Sequence, residues 1–368
     1  MKKFLITFFL FQFIFIRAET LIDEVIVVGS YLKSTESDLS PINIINKDLI
    51  DDLNISSIAE ISKYITSSSG SHFQANTLGG VDQGMASITL RGLDHASTLV
   101  LINSKRHTFA GTPSNQGEGY IDVNIIPEIA INRVEILKEG ATSLYGSDAV
   151  AGVINFSLLR KFKGLNLDFS YQETDNYDQS ESSLGILYGW TSNKVNFVLG
   201  FNHLDRNPLS ASEIPGIAEL ALSGLGKTFK VKQDAFVSSG PYTGNYSKDD
   251  LIPDPRCEIN GGILSGGRCR FLYGNRFNIV NDETHNKLYS SVTHESEKFD
   301  FNSTLIYSSV DVNDNPQSPS YPALPFLSRP IEADQAGNPF GVQVTWYGRP
   351  LGSEFASPHS PKDISQYH

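Results

Sequence analysis

The side chains able to do chemistry in this chain are scattered rather than grouped. Of its eight histidines, among them His72, His95, His107, His203, His285 and His294, no two form the His-x-x-x-His or Glu-flanked pair that holds zinc, so each is expected in a solvated surface position. No Gly-x-Ser-x-Gly elbow or phosphate loop is present, and residues 146–152 lack the spacing of a dinucleotide fingerprint. Acidic pairs abound, but glycoside hydrolysis needs two carboxyls at a set separation in space, which order along a chain does not supply. No enzymatic activity, metal or cofactor is therefore expected. The two cysteines, Cys257 and Cys269, are too few for a thiolate zinc site and leave one bridge or two free thiols. In an exported chain a bridge would tie down a loop tip. What remains is backbone chemistry. The run DEVIVVGS, residues 23–30, is β-prone with no domain before it, suited either to adding a strand to a partner's sheet edge or to starting its own domain.

Composition bounds the elements that must position these groups. The 368 residues include 29 basic and 41 acidic side chains, a net charge of -12, with 19% charged, 40% hydrophobic and 11% aromatic residues. An acidic balance with singly scattered Lys and Arg disfavours nucleic acid as a partner. A low charged fraction beside 30 glycines favours many turns between thin strands over long helices. Lys2 and Lys3 precede an apolar run over residues 4–16, broken only by Thr7 and Gln12, and Arg17 and Ala18 follow it. That is the layout of a secretory signal peptide, with cleavage after Ala18. As a helix the run reaches about 20 Å, short of the roughly 30 Å hydrocarbon core. Nothing later approaches roughly eighteen consecutive apolar residues, so any further membrane crossing is expected to use strands.

From residue 23 to about residue 160 the pattern is mixed α/β, and from residue 164 onward it is almost wholly β. Ser57 and Glu60 stand in capping-box relation while Ile58, Ile61 and Ile65 recur at helical spacing, which predicts a short amphipathic helix over residues 57–65. Asn46 is placed to cap a turn through Leu53. Residues 87–90, 98–102 and 133–137 read as short strands. Residues 107–119, rich in Gly and Pro, read as an exposed loop. Farther on, Leu165, Leu167, Phe169 and Tyr171 alternate with Asn166, Asp168, Ser170 and Gln172. Leu184, Ile186, Tyr188 and Trp190 alternate with Ser183, Gly185 and Gly189. Val195, Phe197, Leu199 and Phe201 alternate with Asn196, Gly200 and Asn202, and a short turn near residues 191–194 makes these last two runs a hairpin. Phe299, Phe301, Leu305 and Tyr307 alternate with Asp300, Asn302 and Thr304. The segment 207–281, which carries both cysteines, is too long for a plain hairpin loop. Strands of this kind are what a transmembrane β-barrel requires. An exported β-sandwich alternates in the same way, and periodicity alone leaves both open.

The stretches SITLRGLDHASTLVLINSKR, residues 87–106, and INRVEILKEGATSLYGSDAVAGVINF, residues 131–156, closely resemble the two signatures of the plug domain of TonB-dependent outer-membrane receptors. The run at residues 23–30 looks like a TonB box, and all three occur in the family's order and spacing. The resemblance is strong from residue 23 to about residue 160 and rests on pattern alone beyond it. It implies an α+β plug domain folded inside an antiparallel transmembrane β-barrel, about 22 strands in the family. It also implies an outer-membrane receptor that imports a scarce nutrient: a ferric siderophore, haem, cobalamin or an oligosaccharide. The TonB energy-transducing protein would pair with Glu24, Val25, Ile26, Val27 and Val28. Arg91 and Glu135 match charged signature positions, and would either hold plug to barrel wall or form a local ion pair that orders the plug. Gly92, Gly140, Gly146 and Gly152 match signature glycines, where positive φ and close backbone approach are demanded. Tyr145, Ala149, Val153 and Asn155 complete the second signature. The loop 107–119 would face outward near the ligand. The implied division is a signal peptide over 1–18, an extension with the box over 19–40, the plug over 41–160, and the first part of the barrel over 161–368 with a long extracellular loop at 207–281.

Length then sets a limit. Strands numbering about 22 at about ten residues each need roughly 220 residues before any turn is counted, whereas a plug ending near residue 160 leaves about 208 of 368. The chain is accordingly read as an N-terminal piece of a longer receptor, with an incomplete barrel whose open strand edges lipid does not tolerate. The competing reading is an exported binding or adhesion protein without transport. A secreted hydrolase is the third and weakest.

Overall fold

The computed structural model describes residues 42–53, 55–69, 71, 84–111, 118–220, 222–272, 278–314, 329–348 and 362–367. The leader and residues 23–30 lie outside them. The first unit is a five-stranded sheet of β1 (Ile42–Asn46), β2 (Thr98–Ile102), β3 (Lys105–Arg106), β4 (Ile131–Leu137) and β5 (Gly152–Leu158), in the order β1-β4-β5-β2-β3. β2 and β5 run parallel and all other neighbours antiparallel. Every residue of β2, TLVLI, is buried, as in a strand covered on both faces. Asn46 closes β1 and caps α1 (Lys47–Asp52), its Oδ1 accepting the Leu49 amide at 3.0 Å, which removes one orphan donor of the helix start.

Two local expectations are corrected. Residues 58–64 form a 3-10 helix, and Ser57 makes no cap bond; its hydroxyl donates to Asn124 Oδ1 at 3.3 Å instead. The hydroxyl that would have capped an α-helix is spent on a tertiary contact, and a run this short tolerates the tighter winding. Residues 87–90 form no strand. Side chains take bonds a ladder would have used: the Thr89 amide donates to Ser71 Oγ at 2.9 Å and the Leu90 amide to Thr98 Oγ1 at 3.0 Å, with an isolated bridge between Ser68 and Leu90.

The second unit is a six-stranded antiparallel sheet, here called the wall. It consists of β6 (Gly164–Glu173), β7 (Ser180–Thr191), β8 (Val195–Arg206), β9 (Asp282–Glu295), β10 (Asp300–Asp314) and β11 (Lys362–Tyr367), each paired with the next. Among the described residues the sheet does not close, and β6 and β11 stand at its edges. β9 went unrecognised in the sequence. Turns at residues 192–194 and 296–299 are short, whereas two of the three connections at the opposite end are long, over 207–281 and 315–361, the third covering 174–179. The wall has two faces of opposite character. Leu167, Phe169, Tyr188, Trp190, Leu199, Phe301 and Leu305 are exposed on one. The other meets the plug over β7 to β10, where Leu187, Val198, Tyr289 and Ile306 join Ile58, Ile61, Ile129, Ile131 and Phe156 in one apolar cluster. Described strands of the two long connections share a four-stranded sheet, and Cys257 and Cys269 are joined beside it by a disulfide.

Candidate functional site at the seam between plug and wall

The signature residues organise the plug itself. Arg91 donates to the Lys138 carbonyl. Glu135, buried to 1% exposure, accepts from Arg133 Nε at 2.6 Å and from Asn155 Nδ2 at 3.0 Å. Asn155 Oδ1 accepts the Ser104 amide at 2.8 Å, so this one side chain ties β5 to the β2–β3 turn and to β4. Both charged signature positions thus find these partners inside the plug, Arg91 on a backbone carbonyl and Glu135 in an ion pair with Arg133. Gly152, at φ +141, is required sterically, because a Cβ there would lie 2.3 Å from the Leu137 carbonyl oxygen. Gly92 and Gly146 sit at φ +67 and +83; at Gly140 a Cβ would press to 3.1 Å from the Val150 carbonyl. Tyr145 packs on the cluster of Leu99, Leu101, Leu137 and Val153. Its carbonyl accepts from Arg106, which also bonds Asp148 and holds that carboxyl below its ordinary value.

The plug meets the wall through the turn at Pro127–Ile131, which contains the 3-10 segment Glu128–Ala130. Ile129 enters a pit whose floor lacks side chains: Cβ atoms added at Gly185 and Gly200 would lie 3.0 and 3.4 Å from its side chain. The Ile129 amide donates to Asn202 Oδ1 of β8 at 3.1 Å. Directly across the ladder from Asn202 stands Lys287 of β9, whose Nζ donates to the Glu128 carboxylate and, at 3.4 Å, to the Ile126 carbonyl. Tyr289, two residues on, donates its hydroxyl to the Leu159 carbonyl at 2.8 Å. One apolar knob, one buried ion pair and three hydrogen bonds therefore seat the plug on three adjacent strands.

The inner face of β9 continues as a ladder of ionisable groups. Glu283 accepts from Arg206 Nη1 at 3.2 Å and from Asn281 Nδ2 at 3.0 Å, with His285 Nε2 also at 3.0 Å, and Arg206 bonds Glu181 of β7 as well. His285 is buried to 1% exposure, against the expectation of a surface histidine, because β9 turns its odd-numbered residues to the plug. Opposite this ladder the plug presents Asp122. Its Oδ1 accepts the Ala86 and Asn124 amides at 2.9 and 3.0 Å, while its Oδ2 has no hydrogen-bond partner among the described residues. Burial pushes the Asp122 carboxyl up to about 6 against those amides and Lys287, with Glu283 adding to the rise. Cavities of about 310 and 320 Å3 lie at the two ends of the seam, one between Arg133 and Asn155 of the plug and Thr293 and Asp300 of the wall, the other between Lys63 of the plug and Gln172 and Arg206. Among the described residues no three His, Cys, Asp or Glu side chains group as metal ligands.

Sequence reasoning named none of the seat residues Glu128, Asn202, Lys287 and Tyr289 as a site. The available signal was parity in β9: Glu283, His285, Lys287 and Tyr289 share one face. The box residues Glu24, Val25, Ile26, Val27 and Val28 lie outside the described residues.

Residues 35–153 match the model of the TonB-dependent receptor plug domain. The chain carries that domain and is related to the TonB-dependent receptors. It is 30% identical over 138 residues to a vitamin B12 transporter BtuB of Vibrio vulnificus, covering 37% of this chain and 21% of the relative. It is 41% identical over 69 residues to an iron-regulated outer membrane virulence protein of Vibrio cholerae, covering 18% and 11%. The chain thus spans well under half the length of these curated relatives. A ferric enterobactin receptor of Pseudomonas aeruginosa is similar at 15% identity with a TM-score of 0.41, over 73% of this chain and 32% of that one.

Proposed function

We propose that the chain supplies the plug and first wall strands of an outer-membrane receptor that imports a scarce nutrient with energy passed through TonB. The supporting observation is the two-faced wall. Its inner face shares one apolar cluster with the plug, while Leu167, Phe169, Tyr188, Trp190 and Phe301 project from the other into a medium the chain does not cover. A contiguous exposed apolar band on alternating strands fits lipid contact and does not fit a water-soluble adhesion sandwich, whose outer faces are polar. The reading carries with it export behind the leader at 1–18, an extension over 19–40, a plug over 41–160 and wall strands over 161–368, with the long connections at the cell exterior. It assigns no catalytic step.

Glu24 to Val28 are proposed as the strand that pairs with TonB. The named relatives direct the choice of ligand: cobalamin first, a ferric siderophore second. Deleting residues 24–28 from the receptor that carries this chain should leave membrane insertion intact and abolish energised uptake of radiolabelled cyanocobalamin or of a ferric catecholate. Energised uptake that survives the deletion refutes the TonB assignment.

A further inference from the structure

The wall's two long connections are separated in sequence by the whole β9–β10 hairpin, yet they share one sheet. Its strands are Leu251–Pro253, Lys227–Val231, Val344–Gly348 and Arg329–Ile331, in that order. The first two belong to the connection over 207–281 and the last two to the connection over 315–361. The join runs along five residue pairs, from Lys227 opposite Gly348 to Val231 opposite Val344. Both faces of this sheet are covered. On one, Phe340 of the second connection is ringed by Phe229, Tyr242 and Tyr246 of the first, at centroid distances of 5.3, 5.4 and 5.6 Å. Edge-on contacts of that kind are favourable beyond the area they bury. On the other face the bridged hairpin packs. Thr228, fully buried, accepts the Cys269 amide at 3.0 Å and donates to the Cys269 carbonyl at 3.3 Å, and neighbouring Arg268 lies over the Tyr347 ring of the second connection at 5.3 Å.

We propose that residues 222–272 and 329–348 of the two outer connections form a single rigid lid, clamped by the Cys257–Cys269 bridge, so that neither part opens without the other. The bridge lies wholly within the first connection, yet it fixes the hairpin that backs the strand on which the second connection is laid. Loops of independent mobility would show separate cores. Here Phe340 and Val344 of the second connection share one apolar cluster with Phe229, Val231, Val237 and Ile252 of the first, so release of one exposes the core of the other. The placement of this lid at the cell surface rests on the reading proposed above; the coupling does not.

The test is chymotrypsin cleavage of the receptor carrying this chain, in whole cells and after detergent extraction. In the Cys257→Ser, Cys269→Ser double variant, cleavage after Trp346 and Tyr347 should rise together with cleavage after Tyr242, both by roughly tenfold or more. A rise confined to the first connection overturns the proposal. Coupling is reciprocal, so Phe340→Ala should speed reduction of the bridge by dithiothreitol by a similar factor, and an unchanged reduction rate also overturns it. This second arm decides the matter if the bridge-free variant does not assemble. Coupled cleavage seen only after extraction, and not in whole cells, would keep the rigid lid and discard its placement at the surface.

Discussion

Replacing Lys287 with Met tests the seat. Lys287 is exposed to 2% and its partner Glu128 to 12%, so the substitution leaves a carboxylate facing an apolar side chain in the interior. Removing one partner of a buried pair costs about 3–5 kcal/mol. The Ile129 amide, which donates to Asn202 beside the pair, reports the loss directly, since it exchanges with solvent only when the seat opens. Each 1.4 kcal/mol is about tenfold in an opening equilibrium, so hydrogen exchange at Ile129 should accelerate by roughly two to three orders of magnitude. Adding Glu128→Gln should recover much of the loss, because the stranded charge is then gone. Lys230→Met, which breaks an exposed pair with Asp249, should leave Ile129 exchange unchanged, an exposed pair being worth about 1 kcal/mol at most. Exchange in Lys287→Met that stays at the wild-type rate, or moves equally in Lys230→Met, refutes the seat.

Asp122 predicts a pH dependence of defined sign. Its carboxyl is raised from 3.8 to about 6 in the folded plug, so the folded state binds the proton more tightly and plug stability should rise as pH falls from about 6 towards 4, by about 3 kcal/mol in all. Urea midpoints at pH 7.5 and 5 should show roughly half of this rise, and Asp122→Asn should flatten the difference. Gly152→Ala would place a methyl 2.3 Å from a backbone oxygen at φ +141. It should cost the plug several kcal/mol, whereas Gly146→Ala, with open space and φ +83, should cost about 1–2; limited proteolysis of the plug ranks the two. Leu167→Lys, on the exposed apolar face, should weaken membrane insertion by about 2–4 kcal/mol if it lies at mid-bilayer, and Ser170→Lys, on the plug side, should weaken it far less in the same fractionation assay.

What the sequence made legible were features of local period or local chemistry. Alternation marked β6, β7, β8 and β10 because runs of their outward residues are mostly apolar, as in Leu184, Ile186, Tyr188 and Trp190. β9 escaped because Thr284, Asn286 and Ser290 dilute its outward face while its inward face holds Glu283, His285 and Lys287. Its pattern is polar on both sides and makes sense only with a plug opposite. β1 was missed for a related reason, since an edge strand of five residues, INIIN, shows no period to read. The Asn46 cap was visible because capping is settled within three residues. Ser57 misled, because its hydroxyl found Asn124, 67 positions away, and no local rule sees that distance.

The seam also bears on how the two units depend on one another. Interfaces between domains of one chain are ordinarily polar and loose. This one is not, for Leu187, Val198, Tyr289 and Ile306 of the wall belong to the same cluster as Ile58, Ile131 and Phe156 of the plug. The glycines Gly185 and Gly200 remove wall side chains where Ile129 enters, so shape as well as hydrophobicity is matched across the join. Polar anchors at such a join favour one register over others, because a shifted plug would bury Lys287 or Glu128 without a partner at a cost several times that of losing an exposed pair. The apolar cluster therefore holds the plug to the wall, and the charged pair decides where on the wall it sits.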